Sequence, residues 1–120
     1  RGGAVLVTDA MSTVGGDRDS FLLNGETIRL EEGRCVNGAG TLAGSHLDML
    51  SAVNNAARFA DIDWFEALRM ASLYPAQALR LDVELGKISP GRRANLLALD
   101  SDRRPLATWI DGDGISGHAH

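Results

Sequence analysis

Residues 4–11, AVLVTDAM, form the stretch that most constrains the fold. An unbroken apolar run containing Val5 and Val7 leads into Thr8 and Asp9. Such a run is typical of a strand that is buried on both faces, as in a parallel sheet. A strand of this kind would bring Asp9 to the carboxyl edge of the sheet, where α/β folds place their chemistry. The alternative is that Asp9 caps the following turn, which is a common role for aspartate and is favoured by composition alone.

The composition is that of an ordinary globular chain. The 120 residues include 44% hydrophobic and 23% charged side chains, and the net charge is −4. Because acidic and basic residues are mixed, we expect no nucleic-acid partner. No apolar run approaches the ~20 residues of a membrane span, so we expect no membrane partner. The single Cys35 excludes an internal disulfide, fits a cytoplasmic location and is predicted to be a buried, inert thiol.

The first strand needs more neighbours than the chain offers. A parallel strand buried on both faces requires strands on both sides and helices on both faces. The rest of the sequence does not supply them. We therefore expect the chain to be the C-terminal portion of a larger protein.

A polar loop over residues 10–20 and an antiparallel meander are predicted next. Asn24-Gly25 is a strong two-residue hairpin signal, and residues 31–33 form a second turn. The three short strands of the meander are residues 21–23, 27–30 and 34–36.

Residues 37–45, NGAGTLAGS, form a glycine-rich stretch that matches neither common nucleotide-binding motif. Its glycines would let the backbone approach a ligand closely. The alternative, which the spacing favours, is a tight connection that only needs glycine for its backbone angles.

Three helices are predicted to follow. Ser45 is expected to cap the first, Asp63 to start the second, and Pro75 to begin a third over residues 75–81. His46 falls in the first turn of the first helix and is interpreted as a partly exposed residue rather than a ligand contact. The apolar face of the first helix consists of Leu47, Leu50, Val53, Ala57 and Ala60.

The C-terminal region changes character after Gly86. Residues 94–99 and 105–110 predict two strands, the second followed by a turn at Asp111-Gly112. His118 and His120 have a spacing that could ligate a metal, but we interpret them as a loose tail. The residues alone thus offer one well-placed carboxylate, one glycine-rich loop and no complete active site.

Several phrases nevertheless coincide with one known family. They are LVTDAM at residues 6–11, GTLAGSHLDML at 40–50, RMASLYPAQALRL at 69–81 and LGKISPGRRANLLALD at 85–100. In this order they resemble the C-terminal part of the bacterial N-acetylglucosamine-6-phosphate deacetylases, a family of the amidohydrolase superfamily. The last phrase is shared widely within the superfamily, whereas the others are more specific.

The resemblance implies the fold and its division. The fold class is α/β, namely the C-terminal part of a (β/α)8 TIM-type barrel plus strands of a small β-sandwich domain. Residues 1–84 would be the last barrel segment, with residues 4–8 as its last strand. Residues 85–120 would be the C-terminal strands of the small β domain.

The resemblance also implies the chemistry, which is hydrolysis of N-acetylglucosamine 6-phosphate to glucosamine 6-phosphate and acetate. Asp9 corresponds to the catalytic acid/base, and Leu42, Ala43 and Gly44 correspond to a substrate contact. A divalent metal, zinc or iron, is expected, with its ligands upstream of this chain. Asp9 would reach the metal only through a metal-bound water. The full-length family members are expected to be homodimers.

Two alternatives to this function stay open. One is another amidohydrolase, an amidase or a deaminase with a different substrate. The other is that the 120 residues by themselves are a non-catalytic piece, since the metal ligands expected for the family are missing from them.

Overall fold

The computed structural model describes residues 3–115. They form two compact units, residues 4–71 and residues 72–115. The helices and strands are β1 Ser20–Leu23, β2 Glu26–Glu31, β3 Arg34–Val36, β4 Leu42–Ser45, α1 Met49–Phe59, α2 Trp64–Ala71, α3 Leu73–Ala78, β5 Leu96–Leu99, β6 Pro105–Ile110 and β7 Asp113–Ile115. The chain is therefore a mixed α/β structure, as predicted, and its described residues contain two sheets. No helix in this part of the chain has the length and apolar character needed to cross a membrane.

The first unit contains a four-stranded antiparallel sheet in the order β1-β2-β3-β4. Its first two turns are tight because both central residues of each have positive φ. These are Asn24 (φ 51°) and Gly25 (φ 85°), then Glu32 (φ 49°) and Gly33 (φ 78°). Two successive positive φ values give the turn whose twist matches antiparallel strands. The predicted meander is confirmed. The glycine-rich stretch, predicted as a loop, instead contributes β4.

The buried residues of this unit come from both the sheet and the helices. Ile28 and Cys35 are buried in the sheet, and Cys35 has no exposed surface, as predicted. Ala52 and Val53 of α1 and Ala67 of α2 are also buried. A hydrogen bond of 2.9 Å from the Trp64 indole N–H to the Asn54 side-chain oxygen joins the two helices.

Helix α1 begins later than predicted, because its N-cap is Asp48 and not Ser45. The Ser51 N–H donates to one Asp48 carboxylate oxygen (2.8 Å) and the Ser51 hydroxyl to the other (2.6 Å). Partial burial raises the pKa of Asp48, but these hydrogen bonds outweigh it, so the pKa lies below its ordinary value. Ser45 cannot cap the helix because it belongs to β4, and His46 precedes the helix instead of lying in its first turn.

The other two helices follow the sequence signals to different degrees. Asp63 precedes α2 as predicted, and its carboxylate accepts the Glu66 N–H (3.1 Å). Helix α3 differs at both ends, since it starts at Leu73 and ends at Ala78. It ends there because Arg80 has φ 59°, and the Leu81 N–H turns back to the Ala76 carbonyl (2.8 Å). This is the Schellman arrangement that terminates helices.

The second unit also contains the sheet β5-β6-β7, which is antiparallel. The predicted strands at residues 94–99 and 105–110 are confirmed, the first starting two residues late at Leu96. The predicted turn has Asp111 at φ 53° and Gly112 at φ 88°, and it leads into β7, which the sequence did not predict. Arg93 pairs with Asp111 and, chiefly through its hydrogen bonds, lowers the pKa of that carboxyl.

The predicted strand at residues 4–8 is absent from the structure. The segment has no strand pairing beyond an isolated parallel bridge between Ala10 and Ser45. Val5 is 45% exposed and Val7 77%, so the expected burial on both faces is wrong for this chain. The physical reason is that a parallel strand forms only against neighbours, and the described residues provide just one backbone contact here, from the Leu6 N–H to the Met70 carbonyl (2.9 Å).

The predicted division into residues 1–84 and 85–120 concerns the domains of a full-length barrel enzyme. The two compact units do not test that division, and it stays a prediction. His118 and His120 lie outside the described residues.

Candidate active site

The segment that carries Asp9 lies directly beside the end of β4. The Ser45 N–H donates to the Asp9 carbonyl (3.0 Å), and the Met11 N–H donates to the Ser45 carbonyl (3.0 Å). The Ser45 hydroxyl donates to the Thr8 carbonyl (2.5 Å). Two regions that were predicted separately, Asp9 and residues 42–44, are thereby brought together.

The Asp9 carboxylate is not used to hold the turn. Asp9 is exposed and has φ 51°, so the chain reverses directly after the extended segment. The turn is capped by Thr8, whose side-chain oxygen accepts the Ala10 N–H (3.2 Å). Among the described residues, the Asp9 carboxylate has neither a hydrogen bond nor an ion pair. The capping alternative is therefore not observed, and the carboxylate is accessible to a ligand.

Gly44 is required by the close approach of these two segments. It has φ 114° and is buried. A Cβ atom placed on it would lie 2.4 Å from the Met11 Cγ and 3.1 Å from the Asp9 carbonyl oxygen. Both the backbone angle and the space exclude a larger residue. The atoms that come close to Gly44 belong to Asp9 and Met11 of the same chain and not to a ligand.

The other two predicted substrate contacts differ in exposure. The Leu42 residue is 65% exposed, and Ala43 is half-buried. Leu42 faces outward at the start of β4 and pairs with Val36 of β3. Of the three residues, Leu42 thus presents the largest accessible apolar surface.

A hydrogen-bonded chain centred on the buried Thr13 anchors the loop after Asp9, and the sequence did not reveal it. Thr13 is only 1% exposed although it lies in the polar stretch predicted as a loop. Its hydroxyl is 2.9 Å from His46 Nδ1 and 3.7 Å from Cys35 Sγ. A hydroxyl can donate to one neighbour and accept from the other, so both contacts are satisfied together. A lone threonine among glycines and charged residues carries no sequence signal for this role.

A metal site is not assembled by this part of the chain. Residues 3–115 contain no group of three or more His, Cys, Asp or Glu side chains that could hold a metal ion. Of the predicted site residues, Asp9 has a side chain that could bind a metal ion, but a single carboxylate does not form a metal site by itself.

Comparison with known proteins places the chain in a family. Residues 5–114 match the profile of the amidohydrolase family. The chain belongs to the amidohydrolase family. The matched region includes both Asp9 and the whole of β4.

Relatives of this amidohydrolase include deacetylases of amino-sugar phosphates. It is 35% identical over 109 residues to the N-acetylglucosamine-6-phosphate deacetylase of Haemophilus influenzae, covering 89% of this chain and 29% of the relative. It is 40% identical over 108 residues to the N-acetylgalactosamine-6-phosphate deacetylase of Escherichia coli O157:H7, covering 90% of this chain and 29% of the relative.

A solved structure agrees with these relatives. The crystal structure of the N-acetylglucosamine-6-phosphate deacetylase from Pasteurella multocida superimposes with a TM-score of 0.86 at 38% identity. The match covers 94% of this amidohydrolase chain and 30% of that protein. The chain thus spans less than a third of the length of each of these three relatives.

Proposed function

We propose that this chain is part of an enzyme that hydrolyses N-acetylglucosamine 6-phosphate to glucosamine 6-phosphate and acetate. The relatives named for this reaction support the substrate class. The observation that carries the proposal is the Asp9 carboxylate, which is exposed, has no partner among the described residues and follows a segment held against β4. A carboxylate in this condition is available to move a proton in a reaction.

The proposed function includes a barrel around residues 4–8. We infer that in the full-length protein this segment pairs as the last strand of a (β/α)8 barrel whose other strands lie outside the described residues. Its support is the apolar run itself, with Val5 and Val7 exposed here and available for burial by further chain. The region from residue 85 onward, with β5 to β7, would then belong to a small β domain.

The role of Asp9 follows from the chemistry of amide hydrolysis. Water must lose a proton as it attacks the acetamide carbonyl carbon, and the sugar nitrogen must gain one as the C–N bond breaks. Asp9 would accept the first proton and donate it to the departing nitrogen, acting first as general base and then as general acid. A divalent metal ion, zinc or iron, would supply the activation of the carbonyl and of the water, held by residues outside those described.

Residues 42–44 are proposed to contact the sugar. They lie on the strand next to Asp9, so a substrate whose acetamide group meets the carboxylate would extend along this strand. The exposed Leu42 side chain offers an apolar surface, and the half-buried Ala43 adds a small side chain. Gly44 is buried against Met11, so its contribution is to let β4 approach the segment that carries Asp9. The predicted homodimer and the predicted cytoplasmic location remain predictions.

The test is acetate release from N-acetylglucosamine 6-phosphate by the full-length protein and two of its variants. Asp9→Asn should lower kcat by roughly 10²- to 10⁴-fold, because the amide cannot take the proton. Asp17→Asn is the matched control, since Asp17 is an exposed aspartate of the following loop, and it should keep the normal kcat. Metal content is measured on each variant. Near-normal turnover of Asp9→Asn with its metal content unchanged would refute the assignment.

N-acetylgalactosamine 6-phosphate is a second candidate substrate. The 40% identity to the Escherichia coli O157:H7 protein favours it, and the two sugars differ only in the configuration at C4. Comparing kcat/KM for the two epimers decides between them. The 120-residue chain tested alone should release no acetate from either, since a metal site is not assembled by its described residues.

A further inference from the structure

We propose that Ser45 is a positioning residue for the Asp9 carboxylate. The inference rests on the proposed role of Asp9 and adds a residue that acts through it. Ser45 contacts Thr8, Asp9 and Met11, which span the residue that carries the carboxylate. These contacts bridge sequence separations of more than 30 residues, so they are tertiary and not local.

The direction of the Asp9 side chain depends on its backbone. No described residue forms a hydrogen bond or an ion pair with the carboxylate, so nothing fixes it directly. A φ of 51° is uncommon for a residue with a Cβ, although aspartate adopts it more readily than most residues. The chain before and after Asp9 is held by Ser45, and the orientation of the Cα–Cβ bond of Asp9 follows from that contact.

Ser45 is itself well fixed. It lies in β4 and pairs with Arg34 of β3. Its hydroxyl donates to the Thr8 carbonyl (2.5 Å) and accepts the Leu47 N–H (3.2 Å). With its proton already donated, the hydroxyl has no proton to offer a substrate. This argues for a positioning role and against direct catalysis.

The hydroxyl can be removed without removing the whole contact. Two hydrogen bonds involve only backbone atoms and survive a change to alanine. One runs from the Ser45 N–H to the Asp9 carbonyl, and the other from the Met11 N–H to the Ser45 carbonyl. Ser45→Ala would therefore release the Thr8 carbonyl, on the side where the chain enters Asp9, together with the Leu47 N–H. Ser45→Thr retains the hydroxyl, and a strand position suits a β-branched residue. Ser45→Cys provides a longer and weaker donor.

The experiment measures kcat, KM and thermal stability of the full-length protein with N-acetylglucosamine 6-phosphate. Ser45→Ala should lower kcat roughly 10- to 100-fold, the range expected when a catalytic group is misplaced by about 1 Å, with KM changed less than about twofold. Ser45→Thr should restore kcat to near normal, and Ser45→Cys should give an intermediate value. The matched control is Ser51→Ala, which also removes a hydroxyl bonded within this unit, to Asp48, and should lower stability without lowering kcat.

A double variant separates this inference from the proposed function. If Ser45 acts through Asp9, then Asp9→Asn combined with Ser45→Ala should be no slower than Asp9→Asn alone. An additive further loss in the double variant would overturn the positioning role. A normal kcat for Ser45→Ala together with an inactive Asp9→Asn would also overturn the positioning role. That result would leave the proposed function intact. If Asp9→Asn itself is fully active, the proposed function fails first. Should Ser45→Ala not fold, a normal kcat for Ser45→Cys overturns the inference equally.

Discussion

Replacing Gly44 by alanine tests how closely β4 approaches the segment that carries Asp9. Two costs are expected. Gly44 has φ 114°, a conformation that residues with a Cβ avoid at a cost of about 1–3 kcal/mol. The added Cβ would also lie 2.4 Å from the Met11 Cγ and 3.1 Å from the Asp9 carbonyl oxygen. Overpacking of this kind costs about 1–3 kcal/mol, since Met11 can move but the backbone oxygen cannot easily do so.

Gly40→Ala is the matched control for the first of these costs. Gly40 precedes the same strand and has φ 77°, and an added Cβ there meets no atom within 4 Å. It should therefore show the conformational cost with no steric cost. The free energy of unfolding should differ between the two variants by about 2 kcal/mol. This difference combines the close contacts of the added Cβ with the less favourable φ of Gly44.

The assay is urea unfolding followed by circular dichroism. With a dependence on urea of about 2 kcal/mol per M, a difference of ~2 kcal/mol separates the two unfolding midpoints by about 1 M. The midpoint of Gly44→Ala should be the lower. Equal midpoints for Gly44→Ala and Gly40→Ala would show that the contact between β4 and residues 9–11 is looser than the structure indicates.

Three further predictions concern stability. Thr13→Val should lower the free energy of unfolding by about 1–3 kcal/mol, because it leaves the groups on Cys35 and His46 without their partner; an unchanged urea midpoint would contradict this. Asp48→Ala should cost about 1 kcal/mol near pH 7. Because the pKa of Asp48 is lower in the folded state, its contribution to stability is complete above the unfolded pKa near 3.8 and is lost as the pH falls through the folded pKa. The difference in unfolding free energy between wild type and Asp48→Ala should therefore disappear in acid, and a difference that does not change with pH would refute this. Gly86→Ala should destabilise more than Gly91→Ala, because a Cβ there would lie 2.9 Å from a backbone atom of α3 whereas Gly91 is open, and similar melting temperatures would disprove it.

The local features of the fold could be predicted because short segments decide them. Asn24-Gly25 forms a hairpin since both residues accept positive φ, whatever surrounds them. Asp63 starts α2 because its carboxylate meets an N–H three residues later. Asp111-Gly112 likewise turns the chain by its own backbone preference.

The candidate site could be predicted only in part. The sequence indicates Asp9 and residues 42–44 only through a family resemblance, because the residues alone favour Asp9 as a turn cap. The structure assigns that cap to Thr8 and leaves the Asp9 carboxylate without a partner among residues 3–115. Thr13 was missed because its burial depends on β3 and on the chain before α1, which are distant in sequence.

The sequence AVLVTDAM by itself determined an extended apolar segment that ends in a carboxylate. It could not determine whether that segment is a strand, because strand formation depends on a neighbour. Only the tertiary structure decided that Ser45 holds this segment and that Asp48, not Ser45, caps α1. Ser45 and Asp48 are both suitable helix caps locally. Ser45 does not cap the helix because it ends β4, where it is held to Thr8, 37 residues away, and a strand residue is not free to cap a helix.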